Sequence, residues 1–209
     1  MRIPLTSVYT PPKDDRKVIM FIDDIFHSKW HPALKPVKEL LDTEYRCITI
    51  LNHRDPERMV KTIRRLSLVS SKPDIIVAYG TGATIAAQIK VVEKVLIKPY
   101  YNTSNVLKNM LGEKMKERIE LPTLGKPEYL TITRQMLTEY RQIEEEIYRQ
   151  GIQNAQTLFF GSDTETPAYN DYVKHFGPAH ILPAKNSFSL EAQDCVVKFI
   201  REILENCKG

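Results

Sequence analysis

Residues 74 to 87, Asp-Ile-Ile-Val-Ala-Tyr-Gly-Thr-Gly-Ala-Thr-Ile-Ala-Ala, pass from a continuous apolar run straight into a small-residue helical pattern. The pattern predicts a buried strand that turns sharply into a helix with no loop between. A turn of that kind strains its backbone and brings strand and helix so close that large side chains beside the apex would strike one or the other. The frame Ala78-Tyr79-Gly80-Thr81-Gly82 meets this demand, with Ala78 and Gly82 as the small neighbours and Gly80 at the apex. A chain carrying this turn has to build the rest of its fold around a strand and helix in near contact.

Composition narrows the class. A chain of 209 residues, 42% hydrophobic and 27% charged, buries one ordinary core and reads as a single domain over 17 to 209. The net charge of +4 comes from 30 basic and 26 acidic residues without a dense basic block, so no nucleic-acid partner is expected. Cys47, Cys195 and Cys207 are odd in number and widely spaced, which argues against a disulfide framework and fits reduced thiols in a cytoplasmic protein. The opening MRIPLTSVYTPPKDDRK has no apolar h-region, and no later run reaches the length of a membrane span, so neither export nor a membrane partner is expected. Residues 1 to 16, with Pro4, Pro11 and Pro12, read as an extended arm.

Short apolar runs recur at Val18 to Ile22, Cys47 to Leu51, Asp74 to Ala78, Val95 to Ile97, Thr157 to Phe160 and His180 to Leu182. They are continuous rather than alternating, as strands covered on both faces are, and helical patterns separate them. Those patterns span Pro32 to Leu41, Pro56 to Val69, Gly82 to Val91, Thr103 to Leu111 and Ser189 to Leu204, the last behind a Ser189 N-cap. The expected fold is α/β, a mostly parallel sheet with helices on both faces.

The alternation lapses between Glu113 and Gln156, where no strand is read and Thr131 to Gln150 forms one long helix with Met136, Leu137, Tyr140, Ile143 and Ile147 on a single face. An insertion after a late strand of a parallel sheet lies over the ligand-binding ends of the strands, which makes residues 113 to 156 a lid-like segment; the alternative is a plain amphipathic helix packed on the sheet.

In order and spacing these segments resemble the small bacterial YqiA-like esterases of the α/β-hydrolase superfamily, over roughly residues 17 to 206. The resemblance is carried by Val18 to Ile22 and the loop after it, by Lys72-Pro73-Asp74-Ile75-Ile76-Val77 leading into the turn, and by Val95-Leu96-Ile97-Lys98-Pro99. Tyr129-Leu130-Thr131, Phe159-Phe160-Gly161-Ser162-Asp163 and the run from Tyr172 to Leu182 complete it. It implies an α/β-hydrolase fold, with Ala78 to Gly82 in the place of the nucleophile elbow Gly-x-Ser-x-Gly.

The family's catalytic set carries over poorly. The nucleophile position is Gly80, which has no side chain to attack with. The acid falls on Asp163, which is present, and the base on Asn186, an amide that takes no proton near neutral pH. Asp24 stands where an oxyanion-hole amide is due, and a carboxylate there opposes a developing oxyanion unless it points away. No neighbour replaces these groups: Thr81 follows the missing serine and lends only its amide, His180 opens the last strand at the far end of the sheet, and Ser187 and Ser189 shape a turn and a cap.

Two other clusters stand out. The loop Asp23-Asp24-Ile25-Phe26-His27-Ser28-Lys29-Trp30-His31 meets His53 and Asp163 at the carboxyl edge of the sheet, a rim of nitrogen and oxygen donors for zinc or manganese, though in no established ligand spacing. Gly80-Thr81-Gly82-Ala83-Thr84-Ile85 copies the first two glycines of a dinucleotide fingerprint but has Ile85 for the third and follows the third strand, so the glycines read as permitting a tight turn; the alternative is a helix start whose free amides attract an anion. No cofactor is implied. The resulting expectation is a pseudo-hydrolase without esterase activity that binds a small molecule or a protein, with Asp23, Asp24, Tyr79, Thr81 and Tyr101 at the ligand. The alternative is an active hydrolase whose unrecognised nucleophile or metal-bound water sits at the Asp23, Asp24, His27, His53 and Asp163 rim.

Overall fold

The computed structural model describes residues 16–27, 33–50, 55–68, 72–123, 127–184 and 189–206. The expectations placed on the arm before Arg16, on Trp30, His31, His53, Asn186, Ser187 and Cys207 fall outside these residues. In chain order the elements are β1 (Val18–Ile22), α1 (Lys35–Leu41), β2 (Arg46–Ile50), α2 (Pro56–Leu66), β3 (Ile75–Tyr79), α3 (Thr81–Ala87), β4 (Glu93–Ile97) and α4 (Thr103–Leu111). They continue with β5 (Lys116–Leu121), β6 (Glu128–Thr133), α5 (Arg134–Gln150), β7 (Ala155–Phe160), α6 (Pro167–Phe176), β8 (His180–Leu182) and α7 (Leu190–Asn206).

Six strands form one parallel sheet in the order β2-β1-β3-β4-β7-β8. From β1 the chain steps outward to β2, then crosses back over β1 to β3 and continues to the other edge. The winding direction therefore reverses between β1 and β3, whose ends meet in register at Ile22 and Ala78. A crevice at the carboxyl ends of such a strand pair is where open α/β sheets hold their ligands.

The central strands β1 and β3 are apolar and buried on every residue because both faces are covered. Met20, Ile22, Ile76, Ala78 and Leu96 pack into one layer with α2 to α6, while Ile19, Phe21, Ile75, Val77, Val95 and Ile97 face α1 and α7. Side-chain caps start several of the helices: Asp55 accepts from the Arg58 amide at α2, Thr133 from Met136 at α5, Thr166 from Tyr169 at α6, and Ser189 from Ala192 at α7. Among the described residues no helix is long and apolar enough to cross a membrane.

Two stretches depart from the reading of the sequence. Residues 113 to 156, expected to hold no strand, contain the antiparallel hairpin of β5 and β6, with Ile119 opposite Leu130 and Glu117 opposite Ile132. One face of this hairpin lies open, so β5 reads Lys-Glu-Arg-Ile-Glu-Leu, and its charges hid the period of two. Thr131 to Thr133 accordingly belong to a strand, and the helix begins at Arg134. Helix α6, unforeseen, opens on a Thr166 cap followed by Pro167 at its first position.

The apolar stripe of α5, Met136, Leu137, Tyr140, Ile143 and Ile147, is buried in the same layer as Met20, Ile76 and Leu96. The helix packs against α2, α3, α4 and β6. Its next face reaches α4: the Glu144 carboxylate takes the Ser104 amide at 3.1 Å and the Ser104 hydroxyl, and so caps α4 from across the helix pair. Burial pushes the Glu144 carboxyl up to about 7, against the pull of the Ser104 donors.

Two outcomes follow from this packing. In native hydrogen exchange, the amides of Tyr140 and Ile143 should be protected to within about 1–2 kcal/mol of those in Ile75–Tyr79, whereas a helix that opens as a lid would exchange far sooner. Glu144 holds its proton more tightly folded than unfolded, so its contribution to stability is greatest below its ordinary value of 4.5 and is lost as pH rises through about 7. The stability of the native chain relative to Glu144→Gln, from urea unfolding, should therefore fall by roughly 1–3 kcal/mol over that window; a flat difference would mean that the carboxyl is not held in this way.

Candidate functional site

At the reversal point the chain turns from β3 into α3 through Gly80, with φ 56° and ψ −122°, a left-handed conformation that side-chain-bearing residues adopt only under strain. The Gly80 amide donates to the Ile97 carbonyl at 3.0 Å, tying the apex to β4. Gly82 allows the close approach: a Cβ there would lie 2.6 Å from the Ile22 carbonyl oxygen and 2.7 Å from that of Asp23. Backbone on both sides leaves nothing to yield, so the third residue of the turn has to be glycine.

The space above Gly80 is filled. A Cβ on Gly80 would lie 1.9 Å from Asp24 Oδ2 and 2.9 Å from Asp24 Cγ, so the Asp24 carboxylate occupies the volume a nucleophilic side chain would need. Three donors hold it there: the Phe26 amide at 2.8 Å and the Thr81 hydroxyl at 3.2 Å on Oδ1, and the Thr81 amide at 3.4 Å on Oδ2. Thr81 is fixed in turn, because its hydroxyl oxygen accepts from the Ile25 amide at 3.0 Å. Asp23 closes the other side of the loop, with Oδ1 accepting from the Asp24 amide and Oδ2 from the Leu34 amide, both at 2.8 Å.

This arrangement consumes the groups that stabilise an oxyanion. Catalysis needs free amides aimed at a developing negative charge. Here the Thr81 amide faces Asp24, and the Asp24 amide faces Asp23. Burial pushes both carboxyls above the ordinary aspartate value; the amide donors and the nearby His27 pull them partly back. The His27 ring lies edge-on to Tyr79, with its Nδ1 3.8 Å from Asp23 Oδ1.

Asp163 sits in the single 3-10 turn Gly161–Asp163 that follows β7 and is only 4% exposed. Its Oδ2 accepts from the Phe160 amide at 3.0 Å, and its Oδ1 pairs with Lys98 Nζ at 2.7 Å. Lys98 follows β4 with a φ of 46°, unusual for a residue with a side chain, and is half-buried. It was not among the residues the sequence singled out. The backbone conformation that aims it at Asp163 is set by tertiary contacts, including its amide bond to the Leu158 carbonyl at 2.8 Å, and leaves no mark in the local pattern.

The structure thus brings Gly80, Thr81, Asp23, Asp24 and His27 together, with Tyr79 beneath the turn. Tyr101 lies elsewhere, stacked on Tyr172 and edge-on to Phe176, its hydroxyl fully buried. His180 opens β8 opposite Leu158 and meets Gln156, away from the carboxyl ends of the strands. Among the described residues no three His, Cys, Asp or Glu side chains gather as a metal site; His53 and Asn186 stand outside those residues.

No family model matches this chain, and no curated protein does. Solved structures do. The esterase domain of a Rhodothermus marinus protein is 14% identical, with a TM-score of 0.61 over 93% of this chain and 88% of its own. DcsB in complex with its substrate analogue is 13% identical, with a TM-score of 0.58 over 92% of each chain. The loop variant DbeA-M1 of a haloalkane dehalogenase from Bradyrhizobium elkanii is 10% identical, with a TM-score of 0.51 over 93% of this chain and 92% of its own. At these identities the likeness is one of fold, and together with the six-stranded parallel sheet it gives the chain the α/β-hydrolase fold.

Proposed function

We propose that this chain is a pseudo-hydrolase: an esterase-like scaffold, akin to the YqiA-like esterases with a degenerate triad, that has lost serine chemistry and acts as a small-ligand or protein-binding module. The observation that carries the reading is the Asp24 carboxylate in the notch above Gly80. A serine hydrolase needs a nucleophile, a base and an open oxyanion hole at that spot. Gly80 supplies no nucleophile, the amides of Thr81 and Asp24 are spent on carboxylates, and the outward oxygen of Asp163 is held by Lys98. Asn186 at the base position adds to this on sequence grounds alone.

A fluorophosphonate probe should therefore leave the native chain unlabelled, and short activated esters should be cleaved no faster than by the denatured protein. Covalent labelling mapped by mass spectrometry to any residue of the 23–27 loop or the 79–82 turn would end the proposal. The packing itself is open to a double-mutant cycle. Gly80→Ser should cost about 2–4 kcal/mol, part of it from the left-handed backbone and part from collision with Asp24. In an Asp24→Ala background the collision disappears, so the same substitution should cost less by roughly 1–2 kcal/mol. Strict additivity in chemical denaturation would mean that the carboxylate does not occupy the notch.

A further inference from the structure

With the turn at Gly80 closed, a ligand needs another berth. A cleft of about 490 Å³ lies between the start of α4, the outer face of α5 and α6. Helix α5 lines it with Arg141, Glu144, Glu145 and Tyr148, spaced i, i+3, i+4 and i+7 on one face, and α6 adds Asp171 and His175.

Most of the polar groups in this wall already have partners. The Glu144 oxygens take the Ser104 amide and hydroxyl. Asp171 accepts the Tyr148 hydroxyl at 2.6 Å on Oδ2, and its Oδ1 lies 3.3 Å from His175 Nδ1. Arg141 and Glu145 make no hydrogen bond or ion pair among the described residues, and the Arg141 charge acts only through space, on Glu144. They stand four apart on one helix with the cation on the N-terminal side, the weaker order for an i,i+4 pair, and each is left facing the cleft. Beyond them the Tyr148 ring is backed by Phe176 at 5.5 Å and flanked by His175 at 5.0 Å, a rigid aromatic end to the cleft.

We propose that this cleft binds a small zwitterion of the amino-acid class. Its carboxylate pairs with Arg141 in a two-pronged contact, its ammonium with Glu145, and its side chain lies against Tyr148 and His175. A ligand carrying only one charge would leave one of the two wall charges unmatched; one carrying both, a few ångströms apart, satisfies the pair that the helix leaves open. The inference rests on the reading of the chain as a ligand-binding module, and it moves the ligand from the elbow to the α4–α5–α6 cleft.

The test uses the full chain, with each common amino acid added singly in a thermal-shift screen and any hit followed by calorimetry. At least one should bind, and at about a hundred times its Kd it should raise Tm by roughly 5 °C or more. The amine lacking its carboxylate and the acid lacking its ammonium should each bind at least about tenfold more weakly. Arg141→Ala should weaken the amino acid by about tenfold while leaving the amine-only analogue unchanged, and Glu145→Gln should do the reverse for the acid-only analogue. Both side chains are exposed, so neither variant threatens folding. The proposal is overturned if no amino acid binds, if an analogue with one charge binds as well as the parent, or if either variant leaves the affinity of the parent unaltered. Ester turnover would refute the pseudo-hydrolase reading and leave this cleft untouched, whereas failure of every amino acid would remove the cleft and leave that reading standing.

Discussion

Helix α3 enters so close to the end of β1 that the Ile22 and Asp23 carbonyl oxygens stand 2.6 and 2.7 Å from where a Cβ on Gly82 would be. Much of the site follows from that contact. It brings the loop after β1 against the apex of the strand–helix turn, with Thr81 beside Ile25 and the Asp24 carboxylate in the notch above Gly80. The contact needs glycine at position 82, and the occupied notch needs glycine at position 80. The turn runs from strand to helix through Gly80 at φ 56° and ψ −122°, and the volume above it holds a carboxylate from another loop. Scaffold and chemistry are separable here because the first depends on backbone packing and the second on one side chain.

Filling that volume with a carboxylate has electrostatic consequences. Two buried aspartates side by side resist ionisation, and each recovers part of its hydration from amides that an active hydrolase would keep for its substrate. Asp24 takes Phe26 and Thr81, and Asp23 takes Leu34 and the amide of Asp24. The loop is thereby internally satisfied: the donors that would stabilise an external oxyanion stabilise resident carboxylates instead. The Asp24 carboxyl seated at the start of α3 also takes the Thr81 amide, one of the donors that the bare glycine turn offers when it is read from sequence alone.

Legibility followed burial. The central strands were readable because both their faces are covered, which makes continuous apolar runs of Val18–Ile22 and Ile75–Tyr79. The β5–β6 hairpin was not, because one face is open and Lys116, Glu117, Arg118 and Glu120 interrupt the apolar pattern. At the site, Ala78, Gly80 and Gly82 announced the turn, since steric demand acts directly on residue type. Asp24 was recognised as electrostatically awkward, but its seat above Gly80 depends on how two loops far apart in the chain meet. Lys98 was invisible for the same reason: its left-handed φ and its reach to Asp163 come from tertiary contacts with β7, and a lysine after a strand looks like any solvated lysine. The cleft between α4, α5 and α6 was not read at all: only the apolar stripe of α5 stood out in the sequence, and nothing local showed that α6 would face Arg141, Glu145 and Tyr148.

The Lys98–Asp163 pair bears on what a catalytic triad at this place would require. In a triad the acid is useful because its outward oxygen orients the imidazole that acts as base. With Lys98 Nζ at 2.7 Å, that oxygen is already paired, and Asp163 is only 4% exposed, so the pair sits where breaking it leaves a buried charge uncompensated. A histidine introduced near Asp163 would compete with a lysine already paired in good geometry. Restoring a serine at Gly80 thus meets two independent obstacles, a carboxylate in the notch and a cation on the acid, and removing either one leaves the other in place. The two arrangements are each internally satisfied, Asp163 by one ion pair and Asp24 by hydrogen bonds, so triad chemistry at this turn would have to break both.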